Sequence, residues 1–158
     1  MSHSFCRNII HLVFSTQYRQ PLITNDIRRE LHAYMIGVLR NLESPSIRIN
    51  SVETHAHLLF LLSKKQALEY VIEEVKRATS KWIKTKDPAF ARFYWQEGYG
   101  AFSIGQEEVK RLTRYIDGQA LHHQEVSFED EIRALFRQAG QRLDEVYFFE
   151  QPPREIAY

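Results

Sequence analysis

The sequence predicts an α+β fold. It reads as a ferredoxin-like (split βαβ, RRM-like) antiparallel sheet with helices on one face, followed by further C-terminal helices. Three observations lead there. Apolar, β-branched runs alternate with amphipathic stretches in the order β-α-β-β-α-β. Two more helical patterns follow the last strand with no strand between them. The chain has 158 residues, the size of one domain with a substantial core. Residues 5–150 are assigned to that domain and 151–158 to a flexible tail.

The first strand is Asn8-Ile9-Ile10-His11-Leu12-Val13-Phe14-Ser15, apolar on both faces as in a covered sheet. A polar loop ending at Pro21 follows. Ile27, Leu31, Tyr34, Val38 and Leu42 then recur at helical spacing, with Thr24 or Asn25 as N-cap. Glu43-Ser44-Pro45 ends this helix. A short strand at 47–52 is separated only by Glu53-Thr54 from the next, so the two should form an antiparallel hairpin.

Ser63 with Gln66 has the spacing of a capping box. It predicts a second helix burying Leu68, Val71, Ile72, Val75, Thr79 and Trp82 and exposing Lys76, Arg77, Lys81 and Lys84. An aromatic segment with Phe90, Phe93, Tyr94 and Trp95 leads through Gly98 and Gly100 into the fourth strand. A third helix from about Gln106 buries Val109, Leu112, Ile116 and Ala120, with Gly118 inside it at a cost of ~1 kcal/mol relative to alanine. Ser127 and Asp130 cap a last helix that Gly140 stops.

Composition narrows the function. One cysteine, Cys6, excludes an intramolecular disulfide framework and suits a reducing compartment. No apolar run approaches the ~20 residues of a membrane span. The N-terminus lacks the basic-then-apolar pattern of a signal peptide, so a cytoplasmic location is expected. Net charge is only +1, but from Lys76 to Arg114 nine Lys and Arg face four acidic residues, and from Asp117 onward four Arg face nine. Such asymmetry fits a basic binding face beside an acidic solvated one.

The chemistry-bearing residues fall in two stretches. In Thr54-His55-Ala56-His57-Leu58-Leu59 the strand period places both histidines on one face, about 7 Å apart along the backbone. Two imidazoles that close can share a divalent metal. In Tyr115-Ile116-Asp117-Gly118-Gln119 the helical period puts Tyr115 and Gln119 on one face. His122 and His123 read either as further ligands or, more simply, as a solvated helix end. Tyr94 and Trp95 read either as base-stacking platforms or as core. No glycine-rich phosphate loop is present.

The chain resembles the small single-tyrosine transposases of bacterial insertion sequences, within the HUH endonuclease superfamily. The likeness runs from about His11 to Tyr147. It rests on Val13-Phe14-Ser15-Thr16 with Tyr18-Arg19, on Thr54 to Leu59, and on Trp95-Gln96-Glu97-Gly98-Tyr99-Gly100-Ala101-Phe102-Ser103. Tyr115-Ile116, Gln119, His122-His123 and Ser127-Phe128 with Glu131 follow in order.

The resemblance implies His55, His57 and Gln119 as ligands of Mg2+ or Mn2+, and Tyr115 as the nucleophile. It also implies a single-stranded DNA partner, with hairpins near the element's ends. A homodimer, in which the tyrosine helix can come from either subunit, belongs to the same implication. Arg19, Lys76, Arg77, Lys81 and Arg111 are the candidate DNA contacts.

The expected activity is DNA transposition by cleavage and rejoining through a 5′-phosphotyrosine. The alternatives are a domesticated relative that binds structured DNA or RNA without cutting it, and a metal-dependent hydrolase that activates water.

Overall fold

The protein is described by a computed structural model covering residues 3–150; the expected tail at 151–158 lies outside the described residues. The element order is β1 (Asn8–Ser15), α1 (Asn25–Asn41), β2 (Ser46–Ser51), β3 (His55–Leu62), α2 (Leu68–Ile83) and β4 (Gly100–Ile104). Then come α3 (Val109–Asp117), α4 (Gln119–His122), α5 (Phe128–Gln138) and α6 (Glu145–Phe148). The strands form one antiparallel sheet in the order β2-β3-β1-β4, the ferredoxin-like arrangement read from the sequence.

β1 and β3 lie at the centre, which is why both are apolar on two faces. On one face Ile10, Leu12, Phe14, Leu58 and Phe60 pack against α1 and α2. On the other, Ile9 and Leu59 meet Leu112 and Ile116 of α3. Val13 on that face meets Phe128 and Ile132 of α5 with Phe148 and Phe149. The C-terminal helices thus close the sheet face that α1 and α2 leave open.

Local expectations shift in four places. The buried stripe of α1 is Ile27, Leu31, Met35 and Leu39, one position round from the expected Tyr34 and Val38. Tyr34 instead stacks on Trp82 at 4.9 Å near the surface, so the apolar stripe is wider than the part that touches the sheet.

The capping box at Ser63 is not made. Ser63 Oγ accepts from the Lys65 N–H at 3.2 Å in a local turn, and α2 begins later, with Ala67 at its N-cap. A serine hydroxyl satisfied two residues on is lost to a helix start. Ser127 does cap α5, accepting from Asp130 N–H at 3.1 Å, and Gly140 leaves that helix at φ +66°.

Trp95 is core. Its ring meets Phe14 and Phe93 edge-on at 4.7 and 4.8 Å, and its indole N–H donates to Thr79 Oγ1 at 2.9 Å. Tyr94 stays half-exposed under Lys84 Nζ, 4.1 Å above the ring.

Lys76 is the fourth shift. It was expected on the open face of α2, but it donates to the carbonyls of Gln96, Glu97 and Gly98 at 2.6–3.1 Å. Burial brings its pKa down to about 8. Among the described residues no helix is long and apolar enough to cross a membrane.

Candidate active site

β3 and the C-terminal helices build the site together. Strand alternation turns His55 and His57 toward the face covered by α3, α4 and α5, and both are buried. Their two ring nitrogens are separately engaged. His55 Nδ1 lies 3.0 Å from Thr54 Oγ1, and His57 Nδ1 lies 2.8 Å from Nε2 of His11 on the neighbouring strand. Both Nε2 atoms face inward.

His11 was read only as part of β1, yet its ring is buried and stacked on His57 at 5.1 Å. The signal that could have found it is a histidine inside an otherwise apolar strand, two positions from a residue that pairs with His57.

Tyr115 closes the site from α3. Gly118 allows either a bend within one helix or a helix end, and here α3 ends at Asp117 and α4 restarts at Gln119. Gly118 N–H bonds Arg114 O at 3.0 Å, and Asn50 of β2 donates to Ile116 O at 2.7 Å, so the broken end keeps its partners. The restart turns Gln119 fully inward and leaves Ala120 exposed, the reverse of the expected stripe.

At the centre stands Glu131 of α5, which in the sequence is visible only as the end of the Ser127-Phe128 motif. It is 2% exposed. Its Oε1 lies 3.0 Å from His57 Nε2, 3.3 Å from His55 Nε2 and 3.2 Å from His123 Nε2. Its Oε2 accepts from the Tyr115 hydroxyl and from Gln119 Nε2 (3.0 Å), with His122 Nε2 at 3.3 Å. Gln119 Oε1 completes the ring of contacts, 3.3 Å from His55 Nε2 and 2.9 Å from His123 Nε2. His122 and His123 are therefore members of the site and not a solvated helix end.

The electrostatics follow from this enclosure. Burial pushes His11 down to about 3 and His55 down to about 4, so both rings are neutral near pH 7. For Glu131 burial works upward, but hydrogen bonds from His123, His55 and His57 outweigh it and hold the carboxyl far below its usual range. Burial, helped by the adjacent Glu131 charge, raises Tyr115 well above an ordinary phenol. Tyr115 is thus a neutral hydrogen-bond donor in this arrangement.

The contacts run from His11 Nε2 to His57 Nδ1 and from His57 Nε2 to Glu131 Oε1. One ligand atom from each of His55, His57, His123 and Glu131 lies within 4.8 Å of the others. Imidazoles converging with a carboxylate form a donor set that fits a divalent ion.

Beside Tyr115 opens a cleft of about 500 Å3, walled by Phe102, Leu112 and Leu135 with Arg111 and Glu131 at its polar side. The other candidate DNA contacts lie apart from it. Arg19 pairs with Glu129 at 2.7 Å and sits over the Phe149 ring, holding the start of α5. Arg77, ion-paired with Glu74, and Lys81 are on the exposed side of α2, across the sheet from Tyr115.

Fold and site define a protein of the transposase class. The sequence family described as IS200-like transposases matches residues 4–119, and the chain belongs to that family. No curated protein matches it. Solved structures agree on the fold. A candidate transposase from Deinococcus radiodurans R1 superposes with a TM-score of 0.60 at 14% identity, over 75% of this chain and 95% of its own. A REP-associated tyrosine transposase bound to a REP hairpin superposes with a TM-score of 0.58 at 15% identity, over 80% of this chain and 74% of its own.

Proposed function

We propose that the protein cuts and rejoins single-stranded DNA, with Tyr115 as the nucleophile and His55, His57 and Gln119 as holders of a divalent ion. The observation that carries this reading is the meeting of a helix-borne phenol with His55 and His57 around Glu131, inside an IS200-like transposase fold. A phosphodiester is anionic, and a divalent cation held beside it neutralises charge and makes the phosphorus a better electrophile.

The chain's own groups do the rest. The 500 Å3 cleft admits a strand to Tyr115, with Arg111 at its edge to meet phosphate. Glu131 Oε2 aims the phenol and accepts its hydrogen bond. Attack by the phenol oxygen forms a phosphorus–oxygen bond to Tyr115 and breaks the bond to the 3′ oxygen. The products are a 5′-phosphotyrosine and a free 3′-OH. The phosphotyrosine is itself a phosphodiester, so a second 3′-OH displaces Tyr115 and rejoins DNA with no nucleotide cofactor.

Structured single strands are the favoured substrate, because a transposase of the same fold is bound to a hairpin. Tyr115 reaches the histidines of its own chain, which favours cleavage in cis. The homodimer implied by the resemblance is then not needed to complete the site.

A denaturing gel tests the reading. Labelled single strands from both flanks of the gene are incubated with Mn2+ or EDTA and with wild type or Tyr115→Phe. The expected result is a slow, protease-sensitive band that needs both Mn2+ and Tyr115. A shift on a native gel without any covalent band supports the binding-only alternative, and cleavage that survives Tyr115→Phe supports the hydrolase.

A further inference from the structure

We propose that Glu131 and His123 join His55, His57 and Gln119 in holding the divalent ion, and that the second Glu131 oxygen holds Tyr115 beside that ion. This rests on the metal-dependent reading above and extends it to residues beyond position 119, where the family match ends.

The spacing is the first argument. Donors about 2.1 Å from one ion stand roughly 3.0–3.4 Å apart along the edges of an octahedron or tetrahedron. Glu131 Oε1 lies 3.0, 3.3 and 3.2 Å from Nε2 of His57, His55 and His123. Three imidazole nitrogens thus stand at ligand-edge distance from one carboxylate oxygen, and one ligand atom from each of the four residues lies within 4.8 Å of the others.

The second argument is support. His57 Nδ1 faces His11 Nε2, and His55 Nδ1 faces Thr54 Oγ1. Each partner, a hydroxyl or a second imidazole, can donate or accept. A proton can therefore sit on Nδ1 and leave the Nε2 lone pair for a metal, the arrangement in which ligating histidines are held.

The third is connectivity. Glu131 Oε1 faces His55, His57 and His123, while Oε2 accepts from Tyr115 and Gln119, with His122 Nε2 at 3.3 Å. A carboxylate so placed fixes the phenol relative to whatever the histidines bind.

The donor set also selects the ion. Imidazole suits first-row transition metals better than Mg2+, which favours oxygen ligands and retains water. The site should therefore prefer Mn2+ to Mg2+.

The test is Mn2+ binding by the full chain, followed through the free-ion EPR signal, for wild type, Glu131→Gln and Glu131→Asp, with thermal melts in EDTA to show folding. Loss of at least about tenfold in Mn2+ affinity in each folded variant is expected, the scale of a lost ligand or its close support. A folded variant within about twofold of wild type overturns the proposal.

Crystals of the wild-type chain grown with Mn2+ need no variant. The expected anomalous peak lies within about 2.3 Å of a Glu131 oxygen. A peak held by His55 and His57 with Glu131 well outside bonding distance overturns the assignment.

The two proposals fail separately. Tyr115-dependent adducts together with Mn2+ affinity indifferent to Glu131 would remove this one and leave the transposase reading. Glu131-dependent Mn2+ binding without any adduct would do the reverse.

Discussion

His57 and Leu58 are neighbours on β3, yet they face different worlds. Leu58 joins Leu12, Phe14 and Phe60 against α1 and α2, in a layer with no charged side chain among its buried members. His57 points the other way, into a cluster where one carboxylate meets four histidines, a tyrosine and a glutamine. The apolar face is held by contacts that any well-fitting hydrocarbon supplies. The polar face holds only while every donor finds its acceptor, because an unpaired buried group costs about 1–3 kcal/mol. One sheet thus keeps stability on one side and reactivity on the other.

The sharpest way to break this comparison is Tyr115→Phe. Covalent adduct should vanish from the denaturing gel while the fold survives, with a stability loss of no more than about 1–3 kcal/mol from the missing donor to Glu131. An adduct that persists would move the chemistry elsewhere.

Phe60→Ala, on the opposite face, should do the converse. It should cost about 3–5 kcal/mol in urea unfolding while adduct yield per folded molecule stays near wild type. A large loss of specific activity in that variant would mean that the faces are coupled.

His11→Phe sharpens the boundary, since it removes only the support of His57 Nδ1. Mn2+ affinity should drop about 10–100-fold by EPR titration. An unchanged affinity would make His11 a packing residue.

Acid should loosen the polar face first. His11 and His55 are held near 3 and 4 by burial, below the 6.5 of an exposed imidazole, so between pH 6.5 and about 3 the unfolded chain binds more protons than the folded one. Their contribution is complete above pH 6.5 and is lost as pH falls through that window. The loss is at most about 1.4 kcal/mol per pH unit for each ring. Urea midpoints in EDTA across the window measure it, and a flat profile would contradict the burial of the rings.

The smallest effect is Ser127→Ala. It removes the N-cap of the helix that carries Glu131 and should cost about 1 kcal/mol by thermal melt. A larger loss of Mn2+ affinity than of stability would show that the cap also aims Glu131.

Much of this was legible in one dimension. Period two along β3 placed His55 and His57 on one face, and apolar runs on both faces of β1 and β3 announced a covered sheet. The i, i+4 spacing of Tyr115 and Gln119 put both on one helical face, and family resemblance joined them to the histidines.

The misreadings have local causes. Ser63 matched a capping pattern but spent its hydroxyl on a turn. Lys76 lay on the polar side of a helical wheel, which cannot register that the chain returns at 96–98 with three carbonyls. Trp95 and Tyr94 are adjacent aromatics, and only packing separates the buried one from the exposed one.

Period and short-range chemistry were enough for the strand faces, the Ser127 cap, the Gly140 stop and the histidine pair. What the tertiary structure alone decided is the meeting at Glu131. His11, His55, His57, Tyr115, Gln119 and His123 come from β1, β3 and the segments after β4, more than a hundred positions apart at the extremes. No periodicity spans that distance. They converge because β1 and β3 pair in one register, and because Gly118 restarts the helix and turns Gln119 inward. A buried carboxylate then has to find enough donors to remain ionised, and these side chains are the ones within reach.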